Sequence, residues 1–567
     1  MNQVIFLFLR RMRAPLLVLI FTYAISILGL VLIPGVDDHG QPWHMDFFHA
    51  FYFVSYMAST IGFGELPYAF TAAQRMWVLV SIYMTVIAWL YAIGKILTLM
   101  QDPAFKQSVT EGTFARGVRL IREPFYIVCG YGDTGSLLVR ALVHREIRAV
   151  VIDLNPDRIN ELSLEDLHLH VPGLCADASA SDHLLEAGLN HPCCAGVVAL
   201  TDSDEDNLKI AITTKLLNPT LTVICRAEHG EVESNMASFG TDHITNPYEA
   251  FADRLALALH APGMHLLHEW LTGVPDTPLA QPLYPPHGTW VLCGYGRFGK
   301  AVRHYLGQEG VETVIVEADP EGTDCVGACV VGQGTEAVTL EEANIHEAVG
   351  IVAGTDNDTN NLSIIMTARE LNPQLFMVGR QNKRHNHAIF EAARLDLVMQ
   401  RSEIIARKIF AQLTTPLLPR FLEKMRAYRN DWANQLVSRI SAVTGEKVPA
   451  VWNVDIDEKS APAVLALTSE GIEIRLQDLV KNPRDREADL ACVPLLLCRG
   501  DKEIVTPEYS EVVRPGDRVL FCGRVGVHER MMWTLLNQNA LRYVRTGVER
   551  PDGYIWRWLS RRRTARS

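Results

Sequence analysis

Two apolar runs near the start of the chain restrict its fold more than any other feature. Leu16 to Ile33 contains no charged residue and is bracketed by Pro15 and Pro34, and Met76 to Met100 contains only Lys95, near its end. Each is long enough to cross a hydrocarbon core of roughly 30 Å as a helix. Inside that core every backbone amide must find its partner within the segment, which leaves the helix as the conformation of a lone span. A cleaved secretory leader is the competing reading of the first run, because Arg10, Arg11 and Arg13 precede it. No small-residue cleavage site follows, and a second span does. The arginines before the first span, and Lys95, Lys106, Arg116, Arg119 and Arg122 around the end of the second, place both termini on the cytoplasmic side of the cell (inner) membrane. The outward stretch between them carries Asp37, Asp38, Asp46 and Glu65 against Arg75, as an outer mouth for cations would.

Met45 to Ser59, between the spans, is apolar and aromatic but too short to cross, so it reads as a re-entrant helix. It runs into Thr60-Ile61-Gly62-Phe63-Gly64-Glu65. Alternating glycines let the backbone adopt conformations closed to other residues, so that successive carbonyls can point to one side. The segment resembles the potassium-channel filter signature TVGYGD, with Ile, Phe and Glu as variants. The resemblance implies a homotetramer in the lipid bilayer. In it, carbonyls of Thr60, Ile61, Gly62 and Phe63 from four subunits replace the water shell of K+, the Thr60 hydroxyl adds the innermost oxygen ring, and Glu65 stands at the outer mouth.

The rest of the chain has another character. Its short apolar strands alternate with charged helices, a division hidden in the overall 21% of charged residues. A net charge of −12 argues against a nucleic-acid partner, and the eleven cysteines include no CxxC pair, which fits a reducing compartment. Strand Phe125 to Cys129 leads into Gly130-Tyr131-Gly132-Asp133-Thr134-Gly135 and a helix, and the next strand ends at Asp153. This is the dinucleotide-binding βαβ pattern: glycines for the turn and for close approach of a pyrophosphate to the helix N-terminus, and an acid for ribose hydroxyls. The unit returns with Gly294-Tyr295-Gly296-Arg297-Phe298-Gly299 and Glu317. Further along, Thr201-Asp202 recurs as Thr355-Asp356, Asn218-Pro219 as Asn372-Pro373, Arg226 as Arg380 and Pro262 as Pro416, each offset by the same 154 residues. The chain therefore contains a duplicated α/β domain.

The duplicated unit resembles the RCK domain, the regulator of potassium conductance found in ligand-gated potassium channels and in Trk and Ktr uptake systems. The fold expected is a membrane α-helical two-span pore module over 1–100, a linker over 101–123, and two α/β Rossmann-like RCK domains over 124–285 and 286–447. A small α+β C-terminal lobe over 448–530 and a basic tail over 531–567 complete it. The resemblance implies eight RCK lobes per tetramer in a cytoplasmic ring. It also assigns adenine reading to Asp177, with Gln333 as a departure in the second copy, and phosphate contact to Arg226 and Arg380. The small-molecule ligands implied are NAD or NADH and ADP, ATP or AMP. The acidic run Asp202, Asp204, Glu205 and Asp206 opens a helix, so capping explains it more cheaply than Ca2+. The function expected is a non-enzymatic, potassium-selective channel gated by these ligands. A membrane-anchored NAD-dependent oxidoreductase and a regulatory subunit of a K+ transporter are the alternatives.

Overall fold

The computed structural model of the chain describes residues 2–64, 67–325 and 329–547. Glu65 and the C-terminal residues 548–567 lie outside them. The chain divides into two compact units, Met1–Ile121 and Arg122–Ser567.

In the first unit the outer helix spans Asn2–Leu32 and passes through Pro15, where the sequence suggests a boundary. A proline removes a single hydrogen bond from a helix interior, and the residues on either side carry the helix across it. The second long helix, Ala72–Gln101, starts ahead of Met76 because Thr71 and Gln74 form a reciprocal capping box. The two helices pack closely at Gly29, where a Cβ would fall 2.0 Å from the Trp77 ring. Trp77 then donates its indole N–H to the Ser26 carbonyl at 3.0 Å. Both helices are long and apolar enough to cross a membrane. Between them the short helix Phe47–Ala58 begins at Asp46, whose carboxylate accepts the His49 amide at 2.7 Å. The stretch expected as a linker is itself helical over Pro103–Arg119.

The second unit contains two six-stranded parallel sheets. Their strands follow one order: third, second, first, fourth, fifth, sixth. In the first lobe these are Phe125–Cys129, Arg148–Asp153, Gly173–Cys175, Cys194–Ala199, Thr222–Arg226 and His243–Thr245. In the second they are Trp290–Cys293, Thr313–Glu317, Cys329–Val331, Gly350–Ala353, Phe376–Gln381 and Leu397–Gln400. The order reverses between first and fourth strands, where open α/β sheets bind ligands.

After its sixth strand each lobe gives a helix to the other. Pro247–His260 leaves the first lobe and packs Tyr248, Phe251 and Leu255 against Trp290, Phe298 and Val302 of the second. Arg401–Thr414 returns the exchange, setting Ile405 and Ile409 against Leu138 and Leu142 of the first. The expected boundary at 285/286 is thus crossed by a helix in each direction. Residues Ala450–Asp455, Cys492–Arg499, Lys502–Val505 and Arg518–Gly523 form a four-stranded antiparallel sheet. One face meets Leu267, Leu418 and Leu436, and the other meets Leu467, Met531 and Leu535, which is why strand Cys492–Arg499 reads as an almost unbroken apolar run. Helices Val527–Leu536 and Gln538–Thr546 belong to that second layer, so this lobe runs on past residue 530.

Candidate functional site: a filter loop and two glycine turns

Helix Phe47–Ala58 ends at Ser59, and the next residues alternate in handedness. Thr60, Gly62 and Gly64 have φ of +63°, +65° and +74°, while Ile61 and Phe63 are not in that region. The amides of Ile61 and Gly62 both donate to the Tyr56 carbonyl, at 3.1 and 3.3 Å, which anchors the loop to the short helix. Ile61 and Phe63 are 64% and 71% exposed, and no atom lies within 4 Å of a Cβ built on Gly62 or Gly64.

The first glycine turn follows strand Phe125–Cys129. Gly130 has φ +103°, and a Cβ there would lie 2.8 Å from the Leu200 carbonyl oxygen; one on Gly135 would lie 2.0 Å from that of Gly130. These contacts admit only glycine, and they bring the start of helix Asp133–His144 down onto the sheet. Gly132 caps that helix without a side chain, so its first amides are open to an anion. Asp153 is buried at the end of the second strand and accepts the Tyr131 amide at 2.5 Å and the Asn155 amide at 2.7 Å. Its two oxygens have further acceptor capacity for ribose hydroxyls. The second lobe repeats this: Glu317 accepts the amides of Tyr295 at 2.5 Å and Asp319 at 3.0 Å, and Gly294 has φ +94°.

Other expected residues divide by role. Thr201 and Thr355 spend their hydroxyls on Asn207 and Asn361, at 2.9 and 2.7 Å. These fully buried asparagines reach on to the carbonyls of Arg226 and Arg380, tying the fourth strand's turn to the fifth. Thr134 and Phe298 are buried, Phe298 against the exchanged helix. Asp133 and Arg297 open the two equivalent helices with opposite charge. Asp177 is exposed, and the Ser179 hydroxyl and amide hold its carboxyl below the usual range. Gln333 is exposed beside Gly334. Asp202 and Asp356 are on the rim, Asp202 at 3.4 Å from Arg226 and Asp356 at 2.7 Å from Arg380. Cys129 and Cys293 are structural, since burial pushes both thiols up, Cys293 to about 12.

Sequence reading missed Arg158, Glu228, Tyr248 and Arg401. Arg158 bridges Asp153 and Asp202 at 3.4 Å each, and its guanidinium lies 3.4 Å from a Cβ built on Gly132, over the glycine turn. Its place five residues beyond the strand-ending acid was the available signal. Glu228 collects Arg226, Arg297 and Arg401; burial alone pushes its carboxyl up, and these guanidiniums outweigh that and hold it low. Of the acidic run, Asp204 accepts the amides of Glu228 and His229, at 2.9 and 3.0 Å, and Ser203 caps the helix. Among the described residues no group of three or more His, Cys, Asp or Glu is placed to hold a metal ion.

Residues 15–102 match the ion channel family model, and 126–247 and 290–401 each match that of the TrkA-N domain. Probable potassium channel protein 2 of Methanocaldococcus jannaschii is 25% identical over 251 residues, 44% of this chain and 67% of that protein. Potassium channel protein 1 of the same organism is 26% identical over 204 residues, 36% of this chain and 59% of that one. An uncharacterised protein of Methanothermus fervidus is 28% identical over 226 residues, 40% of this chain. The chain spans 34% of that protein's length, so curated relatives are matched over about a third to two thirds of themselves. Among solved structures, the GsuK channel has a TM-score of 0.49 at 15% identity, covering 93% of this chain and 98% of its own.

Two long apolar helices that match the ion channel family are followed by two Rossmann-like lobes that match the TrkA-N domain. Residues 15–102 are thus similar to the ion channel family and 126–247 and 290–401 to the TrkA-N domain, and the relatives matched include potassium channel proteins.

Proposed function

We propose that the chain is the subunit of a homotetrameric, potassium-selective channel of the cell membrane, with both termini cytoplasmic and with conduction set by nucleotide binding to its RCK lobes. The observation that carries the reading is the alternation of left-handed backbone at Thr60, Gly62 and Gly64, at the end of a short helix between two spans. Four copies of such a loop present rings of carbonyls in place of an ion's hydration shell. Carbonyls of Thr60, Ile61, Gly62 and Phe63 hold K+ in this reading, with Glu65 at the mouth.

The lobes act as sensors rather than as catalysts. Each offers a glycine turn at an uncapped helix start, an acid for ribose and a strand-end arginine, a set suited to ADP, ATP, AMP, NAD or NADH. Asp153 and Glu317 take the ribose; Arg158 and Arg226 serve phosphate in the first lobe, and Arg297 and Arg380 in the second. A ligand shifts the gate only by its differential affinity for open and closed rings. The test is potassium and sodium flux through liposomes that contain this protein alone, with ADP, ATP, NAD, NADH and Ca2+ added in turn. Selective potassium flux that responds to a nucleotide is expected. Flux without selectivity overturns the filter reading, and selective flux indifferent to every nucleotide overturns the gating.

A further inference from the structure

Glu228 stands two residues beyond Arg226 at the end of the first lobe's fifth strand, 6% exposed, and is reached from both lobes. Arg226 donates to its Oε1, and Arg401, at the start of the helix the second lobe gives to the first, donates to the same oxygen at 2.7 Å. At Oε2, Arg297 of the second glycine turn lies 3.0 Å away and the Tyr248 hydroxyl donates at 3.2 Å. That hydroxyl accepts from Arg380 at 3.2 Å, and the guanidiniums of Arg380 and Arg297 lie 5.1 and 5.6 Å from the Tyr248 ring centre. Arg226 and the arginine of the second glycine turn therefore end on one carboxylate, and Arg380 reaches it through the Tyr248 hydroxyl. The duplication does not supply a second: the residue matching Glu228 is Asn382, whose side-chain amide donates to the Thr355 carbonyl and to Asp358. Arg226 Nε, meanwhile, is buried without a partner, a donor left over at the edge of the first site.

We propose that Glu228 couples the two lobes so that nucleotide at one weakens nucleotide at the other, an inference that rests on both lobes being nucleotide sites. Arg297 and Arg380 turn to a phosphate in the second lobe only by loosening their hold on Glu228, directly or through Tyr248. The carboxylate then depends on Arg226 and Arg401. Removing a charge-assisted partner from a buried carboxylate costs more as fewer partners are left. Arg226 is accordingly held more firmly, and a phosphate in the first lobe competes for it less well. Thermodynamic linkage makes the effect equal in the other direction.

Calorimetric titration of ADP into the full-length protein in detergent tests this, with Asp153→Ala and Glu317→Ala chains giving the second and first sites alone. In the unmodified protein the second ADP is expected to bind roughly five- to tenfold more weakly than the single-site chains report. Glu228→Gln should bring the discrepancy within about twofold and tighten the first site, because Arg226 no longer serves a competing anion. Tyr248→Phe keeps the ring and cuts the link to Arg380, so it should reduce the antagonism by itself, and it carries the test if Glu228→Gln does not fold. Sites that bind independently in the unmodified protein, ADP at one lobe only, or antagonism unchanged in both variants overturns the coupling while leaving nucleotide binding in place. Absence of heat in every chain overturns the nucleotide reading, and the coupling with it.

Discussion

At the scale of single residues, glycines serve this chain for two physically different reasons. Gly62 and Gly64 have open space where a Cβ would stand, so their requirement is conformational: φ near +65° to +74° is costly for any residue with a side chain. Gly62→Ala should therefore abolish selective potassium flux in bilayers and leave nucleotide binding untouched; a selective current from it would refute the filter assignment. Gly135 has ordinary φ, and its requirement is steric, with a carbonyl oxygen 2.0 Å from the missing Cβ. Alanine there should displace the turn and weaken nucleotide binding at the first lobe without altering selectivity. Asp153→Ala probes the same site through chemistry. Loss of a charge-assisted hydrogen bond of about 1.5–3 kcal/mol corresponds to roughly ten- to hundredfold weaker binding, read by calorimetry beside the current response.

At the scale of elements, local pattern and long-range packing were unequally legible. The two long apolar helices, the alternating glycine loop after the short helix and both βαβ units could be read directly, because each depends on residues within some thirty positions of one another. The helix exchange could not. Nothing in Pro247–His260 distinguishes a helix that covers its own sheet from one that covers the next, since both need the same apolar face. Glu228 was invisible for the same reason, its partner Arg401 being 173 residues away. The exchanged helices also form a cavity of 440 Å3 lined by Arg254, His268, Lys408 and Gln412 among others. Burial first, then the nearby Arg254 charge, pushes the His268 pKa down to about 3, against the opposing pull of Glu269. The unfolded chain thus binds a proton that the folded one refuses between about pH 6.5 and 3, so stability is full above that window and falls as the pH is lowered into it. At pH 5 the cost is about 2 kcal/mol. The apparent melting midpoint of the full-length protein should drop between pH 7 and 5, and His268→Gln should flatten that slope. An equally steep slope in the variant would remove His268 as its source.

The whole molecule is set by what one chain leaves unfinished. Ile61 to Gly64 have no regular secondary structure, with the Ile61 and Phe63 side chains exposed, and in the proposed topology they follow a helix too short to leave the membrane by its far side. Irregular backbone is tolerated at that depth only when protein or a water-filled cavity surrounds it. Long apolar side chains on both spans, including Phe21 at 62% and Leu90 at 65% exposure, have lipid or neighbouring copies to meet. A closed ring of identical subunits satisfies the loop and the spans together, and a cation stripped of water needs four carbonyls at each level of the filter. Mass measurement in detergent should accordingly give four copies of the 63.3 kDa chain. Function supplies a sharper count. When Gly62→Ala and unmodified subunits are co-expressed in equal amounts and mix at random, a tetramer that needs all four loops intact retains about one sixteenth of its selective flux, and a dimer about one quarter. Selective flux is expected near the lower figure. A value near one half, as from chains that conduct singly, would mean that the pore lies within one subunit and that the filter loop does not work as a ring.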